Sequence, residues 1–250
     1  GSEVEIALEA QKKLKESKID SKVVSMPCQE LFDQQNNQFK NEIIQKDIPV
    51  ITIEAGSVME GGLAAVCVSS GQAASAFVVQ NLCNAGDNFV ASTDLYGGTV
   101  NLFNNTLKAM GIEVRYADPK DPENFAKLTD SKTRLYYAET LPNPSLRVFP
   151  IQEVAEVGKK LNVPLVMDNT SCPVICKPFE HGAAIVMHSL TKFIGGHGTS
   201  IGGVVVDSGN FNWAGDKERQ PNIWKPDMSY HGAVWGDAVP QLTGANIPFI

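Results

Sequence analysis

The sequence predicts an α/β fold: a mainly parallel sheet covered by helices, preceded by a small α/β segment. Three observations carry that expectation. From Leu63 onward, short apolar runs recur at regular intervals; stretches with helical spacing separate several of them; and small polar residues such as Ser69–Ser70–Gly71 punctuate the joins. Strand alternating with helix argues for parallel strands with helices on both faces, and in such sheets ligands sit beyond the carboxyl ends of the strands.

The elements follow in chain order. Ser2, Glu3, Val4 and Glu5 make a capping box, and Val4, Ala7, Leu8 and Leu14 then recur with helical spacing to about Ser17. A β-branched run at 22–25 predicts a short strand, 29–38 a helix and 50–54 another apolar strand, before the pattern ends at Ala55–Gly56. Seven apolar runs come next, at 64–68, 88–92, 113–116, 134–138, 164–167, 185–187 and 203–206, with helical stretches at 75–82, 100–110 and 151–161. The last forty residues, with Trp213, Trp224 and Trp235, show no clear period.

Bulk properties narrow the function. A chain of 250 residues has room for one large α/β domain or two smaller ones, and 43% hydrophobic content is ordinary for a globular protein. The net charge of −7, from 21 basic and 28 acidic residues, argues against a nucleic-acid backbone as partner. No apolar stretch approaches the roughly 20 residues of a spanning helix, and no basic-then-apolar leader is evident, so the expectation is a cytoplasmic protein with no membrane partner. Five scattered cysteines fit reduced thiols. Cys172 and Cys176 form a CxxxC with no second pair at zinc spacing, so no metal site is expected.

Four places carry chemistry. At VCVSSGQAA, small residues between strand and helix allow backbone N–H groups near Gly71 and Gln72 to close on a phosphate, although plain connection is the commoner use of such a turn. At VPLVMDNT, Asp168 stands at the end of a buried strand, either as a helix cap or as the carboxylate that holds a protonated pyridine nitrogen. At MHSLTKFIGGHG, Lys192 follows another core strand, where partial desolvation makes an amine nucleophilic, with the Ser189 and Thr191 hydroxyls near the same phosphate. At DLYGGT, the Tyr96 ring between a strand and two glycines either lies flat over a heterocycle or caps the core, and its hydroxyl is available for acid–base chemistry.

Together SSGQAA, LYGGT, ETLPNPSLRV, VPLVMDNT, HSLTKFIGGHGTSIGGVVVDSGNF and SYHG resemble the Cys/Met-metabolism family of pyridoxal-phosphate enzymes, over about 58–250, and within it most closely the O-acetylhomoserine sulfhydrylases. The resemblance implies a fold-type I large domain and pyridoxal 5′-phosphate held by Lys192 as a Schiff base, with Lys192 as proton shuttle. It also implies that Asp168 partners the pyridinium and Tyr96 stacks on the ring. Gly71, Gln72, Ser189 and Thr191 hold the phosphate, and Asn143 and Thr170 lie around the ring hydroxyl and Asp168. Glu139 matches a family position without an assigned role.

The implied reaction is γ-replacement on O-acetylhomoserine with sulfide or a thiol, giving homocysteine or methionine, in a homodimer or homotetramer. A cystathionine synthase or lyase of the same family is one alternative, and a catalytically silent fold or assembly module another. The first 57 residues resemble part of the transketolase C-terminal domain, although the thiamine-binding residues of transketolases lie in other domains. The two resemblances meet near Ser57–Val58, which suggests a fused or composite chain. The family also carries an upstream Tyr and Arg segment and a downstream smaller domain with a substrate-gripping arginine, neither of which matches a stretch of this sequence.

Overall fold

The computed structural model describes residues 8, 11–16, 19–24, 35–43 and 62–243. The chain divides into two compact units, Gly1–Ala55 and Gly56–Ile250. In the first, Leu8 and residues 11–16 are helical, as their spacing predicts, and a second helix, α1, spans Asn37–Ile43. Of the helix expected at 29–38, the described residues 35 and 36 are not helical and 37–38 open α1. Asn36 is the reason: its side-chain oxygen accepts the Phe39 N–H at 2.9 Å, a cap that sets the first turn. The strand expected at 22–25 is also corrected, since residues 21–24 have no regular structure. Lys22 donates instead to the carbonyls of Glu42 and Ile43 at 3.1 and 3.4 Å, and no strand among the described residues pairs with this run. The capping box at 2–5, the helix residues 29–34, the strand at 50–54 and the join at 57–58 lie outside the described residues.

The second unit holds a seven-stranded sheet: β1 Ala64–Val68, β2 Asn88–Ser92, β3 Glu113–Ala117, β4 Thr133–Glu139, β5 Leu165–Asp168, β6 Ile185–Ser189 and β7 Gly203–Asp207. Its spatial order is β1-β7-β6-β5-β4-β2-β3. Every pairing among β2 to β6 is parallel, whereas β7 runs antiparallel to both β1 and β6. A parallel return needs a crossover helix, and residues 190–202 supply only one short π-helical turn, so the chain doubles back.

Alternate strand residues feed two cores. Phe89, Ala91, Leu135, Tyr137, Val166, Ile185 and Met187 pack against helix α2, Gly71–Leu82, and against the helix that begins as α3, Gly97–Asn101. Val90, Tyr136, Ala138, Leu165, Met167 and Val186 pack on the opposite face against α4, Glu123–Lys127, and α5, Ile151–Leu161. Continuous burial of both faces is why these strands read as unbroken apolar runs.

Helix starts differ from expectation where caps decide them. α2 begins at Gly71 because the Ser70 hydroxyl accepts the Ala73 N–H at 3.1 Å. The helix expected at 100–110 starts at Gly97 and passes through a π-helical stretch at Leu102–Leu107. The tail without a clear period contains α6, Pro221–Trp224, and α7, Trp235–Thr243. Its anchor is Trp213, 1% exposed, whose carbonyl accepts the Trp224 indole N–H at 2.9 Å.

Candidate functional site

The carboxyl ends of the parallel strands and the amino end of β7 share one edge of the sheet. Strand register aligns Val68, Gly203 and Ser189 across β1, β7 and β6, and aligns Glu139, Asp168 and Met187 across β4, β5 and β6. Tyr96 follows β2, Gly71 and Gln72 follow β1, and Lys192 follows β6. The topology therefore brings the sequence-predicted residues to one edge from five separate segments.

Close approach defines one corner. A Cβ added at Gly71 would lie 2.5 Å from Ser189 Cβ and 2.9 Å from its hydroxyl, so the first turn of α2 rests directly on the end of β6. An added Cβ at Gly203 would collide with the Ser70 carbonyl. With Ala73 N–H committed to the Ser70 cap, the Gly71 and Gln72 amides remain as first-turn donors beside the Ser189 hydroxyl, the arrangement an anionic oxygen group fits. The Thr191 hydroxyl exchanges hydrogen bonds with Gly202, donating to the carbonyl at 3.3 Å and accepting the N–H at 3.1 Å.

The opposite corner is acidic, with Glu139 buried and Asp168 partly buried. Asp168 Oδ1 accepts the Thr170 N–H at 2.9 Å, the local turn that its capping chemistry predicts. Thr170 also connects the acid to β6, since its side chain bonds Asp168 while its hydroxyl oxygen accepts the Ser189 N–H at 2.7 Å. Burial pushes the Asp168 carboxyl up from the ordinary range; the Thr170 bonds and the nearby His188 pull the other way. Glu139, 6% exposed, is pushed up to about 8, first by burial and then by the charge of Asp168 on the adjoining strand. Two acids side by side in a buried place call for a cation to offset them, and a protonated pyridine ring meets that demand.

Glu139 also does what the sequence left unassigned. Its Oε1 accepts the Tyr96 N–H at 2.6 Å, and its carboxylate accepts the Asn143 N–H as well. Tyr96 is exposed, and a Cβ at Gly98 would lie 2.5 Å from its ring edge and 2.9 Å from the Gln72 amide nitrogen, which places Tyr96 and Gln72 together. Lys192 stands where the chain kinks after Leu190, with φ −93° and ψ −113°, and is exposed rather than desolvated as expected.

Sequence reasoning also missed a buried layer beneath the acids. The Ser75 and Tyr137 hydroxyls lie 2.9 Å apart, and Tyr137 donates to Met187 Sδ at 3.2 Å. Burial and the charges of Asp168 and Glu139 hold the Tyr137 phenol well above its usual range. The signal was available in strand ends: Ser92, Glu139, Asp168 and Ser189 are the polar final residues of β2, β4, β5 and β6.

Comparison with known proteins adds relatives to this geometry. A family model described as Cys/Met metabolism PLP-dependent enzyme matches residues 51–235, and one described as Transketolase-like TK C-terminal domain matches residues 1–76. The two matches overlap at 51–76. O-acetyl-L-homoserine sulfhydrylase of Leptospira meyeri is 49% identical over 199 residues, 78% of this chain and 44% of that protein. Homocysteine/cysteine synthase of Saccharomyces cerevisiae is 43% identical, over 74% of this chain and 42% of that protein.

A solved O-acetylhomoserine (thiol)-lyase from Campylobacter jejuni subsp. jejuni, which carries N'-pyridoxyl-lysine-5'-monophosphate, superposes with a TM-score of 0.69 at 35% identity, covering 71% of this chain and 44% of that one. The chain thus spans less than half the length of these relatives. The fold is that of fold-type I pyridoxal-phosphate enzymes. With a family match across most of its length, the chain belongs to the Cys/Met metabolism PLP-dependent enzymes.

Proposed function

We propose that this chain carries the cofactor-binding part of a pyridoxal-phosphate enzyme that performs γ-replacement on O-acetylhomoserine with sulfide or a thiol. The observation that carries the reading is the shared sheet edge, where a Gly71–Gln72 amide pair, the buried Glu139, the partly buried Asp168 and Lys192 stand at strand ends. The choice of reaction is supported by relatives of 42–49% identity named as O-acetylhomoserine sulfhydrylases and homocysteine synthases.

Pyridoxal phosphate, when bound, supplies an electron sink for charge that develops on the amino-acid carbons. The chain's residues do the rest. Gly71, Gln72, Ser189 and Thr191 would hold the phosphate. Asp168, steadied by Thr170, would pair with the ring nitrogen, Tyr96 would stack on the ring and Asn143 would serve its hydroxyl. The Lys192 amine holds the cofactor, then takes the substrate's α-proton and returns protons along the carbon chain. In the balanced reaction the γ-carbon–oxygen bond breaks with its electron pair on acetate and a carbon–sulfur bond forms. Sulfide gives homocysteine, and methanethiol gives methionine.

This reading extends to a homodimer or homotetramer in the cytoplasm, supported by the family resemblance. It extends also to a transketolase C-terminal-like segment at 1–57 preceding a pyridoxal-phosphate-binding large domain at 58–250. The division at Ala55–Gly56 and the two family matches support that organisation.

Absorption spectroscopy tests the cofactor reading. The purified chain with added pyridoxal phosphate is expected to develop a visible band that Lys192→Ala abolishes; absence of a band from the unmodified chain would overturn it. Product analysis with O-acetylhomoserine plus sulfide, and separately with cystathionine, tests the reaction. Homocysteine formed from the first supports γ-replacement, whereas turnover of cystathionine alone favours a lyase.

A further inference from the structure

We propose that Glu139 is a positioning residue that sets the Tyr96 and Asn143 backbones from one buried carboxylate, and so fixes both walls of the cofactor site. The proposal rests on the cofactor reading above and assigns a role that neither the motif nor the relatives' names supply.

Geometry carries it. Tyr96 lies in the connection after β2, and Asn143 lies in the connection after β4. The two come from segments 47 residues apart, yet the Tyr96 N–H donates to the Glu139 carboxylate at 2.6 Å and the Asn143 N–H lies near enough to favour its charged form. Glu139 is the last residue of β4, a strand buried along its whole length, so its position is fixed by the sheet and not by a loop. Burial of the side chain leaves little water to replace it: a lost acceptor strands two amides.

A second tie reaches the same connection from outside. Arg147 pairs with Asp94 at 3.1 Å and with Asp118 at 2.9 Å, joining the segment after β4 to those after β2 and β3. Arg147 is half-exposed, so its contribution is weaker than that of the buried acid.

The groups facing Glu139 are Asp168 on β5, which opposes its ionisation, the Tyr96 and Asn143 N–H donors, which favour it, and Tyr137 on β4, whose phenol the Glu139 charge holds neutral. Its acceptor function persists in either charge state: a carboxylate and a protonated carboxyl each keep a carbonyl-type oxygen for an N–H.

Titration of the full chain with pyridoxal phosphate, followed by absorbance and by circular dichroism of the visible band, tests the assignment. Glu139→Ala is expected to weaken cofactor binding by about tenfold or more, the loss that stranding buried amides implies, and to reduce the circular dichroism per bound cofactor because the ring loses its fixed orientation. Glu139→Gln keeps one acceptor oxygen and is expected to fall between the unmodified chain and the alanine variant in both readouts.

Amide hydrogen exchange in the cofactor-free chain separates positioning from general destabilisation. Tyr96 or Asn143 should exchange faster in Glu139→Gln while the strand amides of β4 and β5 keep their protection. If Glu139→Ala does not fold, the exchange and dichroism of Glu139→Gln decide the matter. Unchanged affinity, dichroism and exchange at both amides would overturn the assignment. A chain that forms no visible band with Glu139 intact would instead remove the cofactor reading on which it rests.

Discussion

Single residues in this chain show how a buried carboxyl changes stability with pH. Asp207, the last residue of β7, is 6% exposed; its Oδ1 accepts the Gly209 N–H at 2.7 Å, while Oδ2 has no hydrogen-bond partner. Burial pushes this acid up from 3.8 to about 6. Between those values the folded chain binds a proton that the unfolded chain has released, so stability is fully present below about pH 4 and is lost as pH rises to about 6. The linkage bounds that loss at about 3 kcal/mol. Asn in its place keeps the acceptor for Gly209 and cannot ionise. Asp207→Asn is therefore expected to flatten the stability profile between pH 4 and 6 and to be more stable than the unmodified chain at pH 7. Glu139, raised from 4.5 to about 8, leaves a further decline up to pH 8 in both proteins. Urea unfolding at stepped pH reads this directly, and equal slopes from pH 4 to 6 in the two proteins would refute it.

At the scale of elements, what the sequence could reveal depended on which interactions define an element. The strand run at 88–92 coincides with β2 because burial on both faces leaves its mark in composition alone, whereas β1 at 64–68 is only partly buried and is marked by its apolar residues. The direction of β7 was not legible, since it follows from a connection too short for a crossover and not from the strand's own residues. The tail was illegible for another reason: it is ordered by partners far away in sequence. Arg134 on β4 donates to Asp87 at 2.5 Å and to the Arg219 carbonyl at 2.6 Å, while Gln220 Nε2 donates back to the Arg134 carbonyl at 2.8 Å. Side chains of Arg134 and Asp87 are only 10% and 8% exposed. Removing one partner of such a pair leaves the other charged and buried, a cost of about 3–5 kcal/mol. Arg134→Ala is accordingly expected to lose about that much in denaturant unfolding, with Trp213 fluorescence moving toward that of exposed indole. A loss below about 1 kcal/mol would mean that the tail is held by its apolar contacts alone.

For the whole molecule, the candidate site was more legible than the architecture around it. Lys192, Asp168, Tyr96 and Gly71 announce themselves as chemically unusual residues at strand ends, and parallel topology then brings strand ends together whatever the loops do. Their mutual support was not legible. That Glu139 joins Tyr96 to Asn143, or that Thr170 joins Asp168 to Ser189, depends on the registers of β4, β5 and β6, which no local pattern encodes. All of these residues belong to the unit Gly56–Ile250, which contains both hydrophobic cores and the complete sheet. A unit of that size, with its own cores, satisfies the conditions for independent folding. A chain beginning at Gly56 is therefore expected to unfold cooperatively and to develop the same visible band with pyridoxal phosphate, with an affinity within about threefold of the full chain, because no residue assigned to the phosphate, ring or amine lies before it. Loss of the band from a shortened chain whose far-ultraviolet circular dichroism is native would show that the first 55 residues contribute to the site itself.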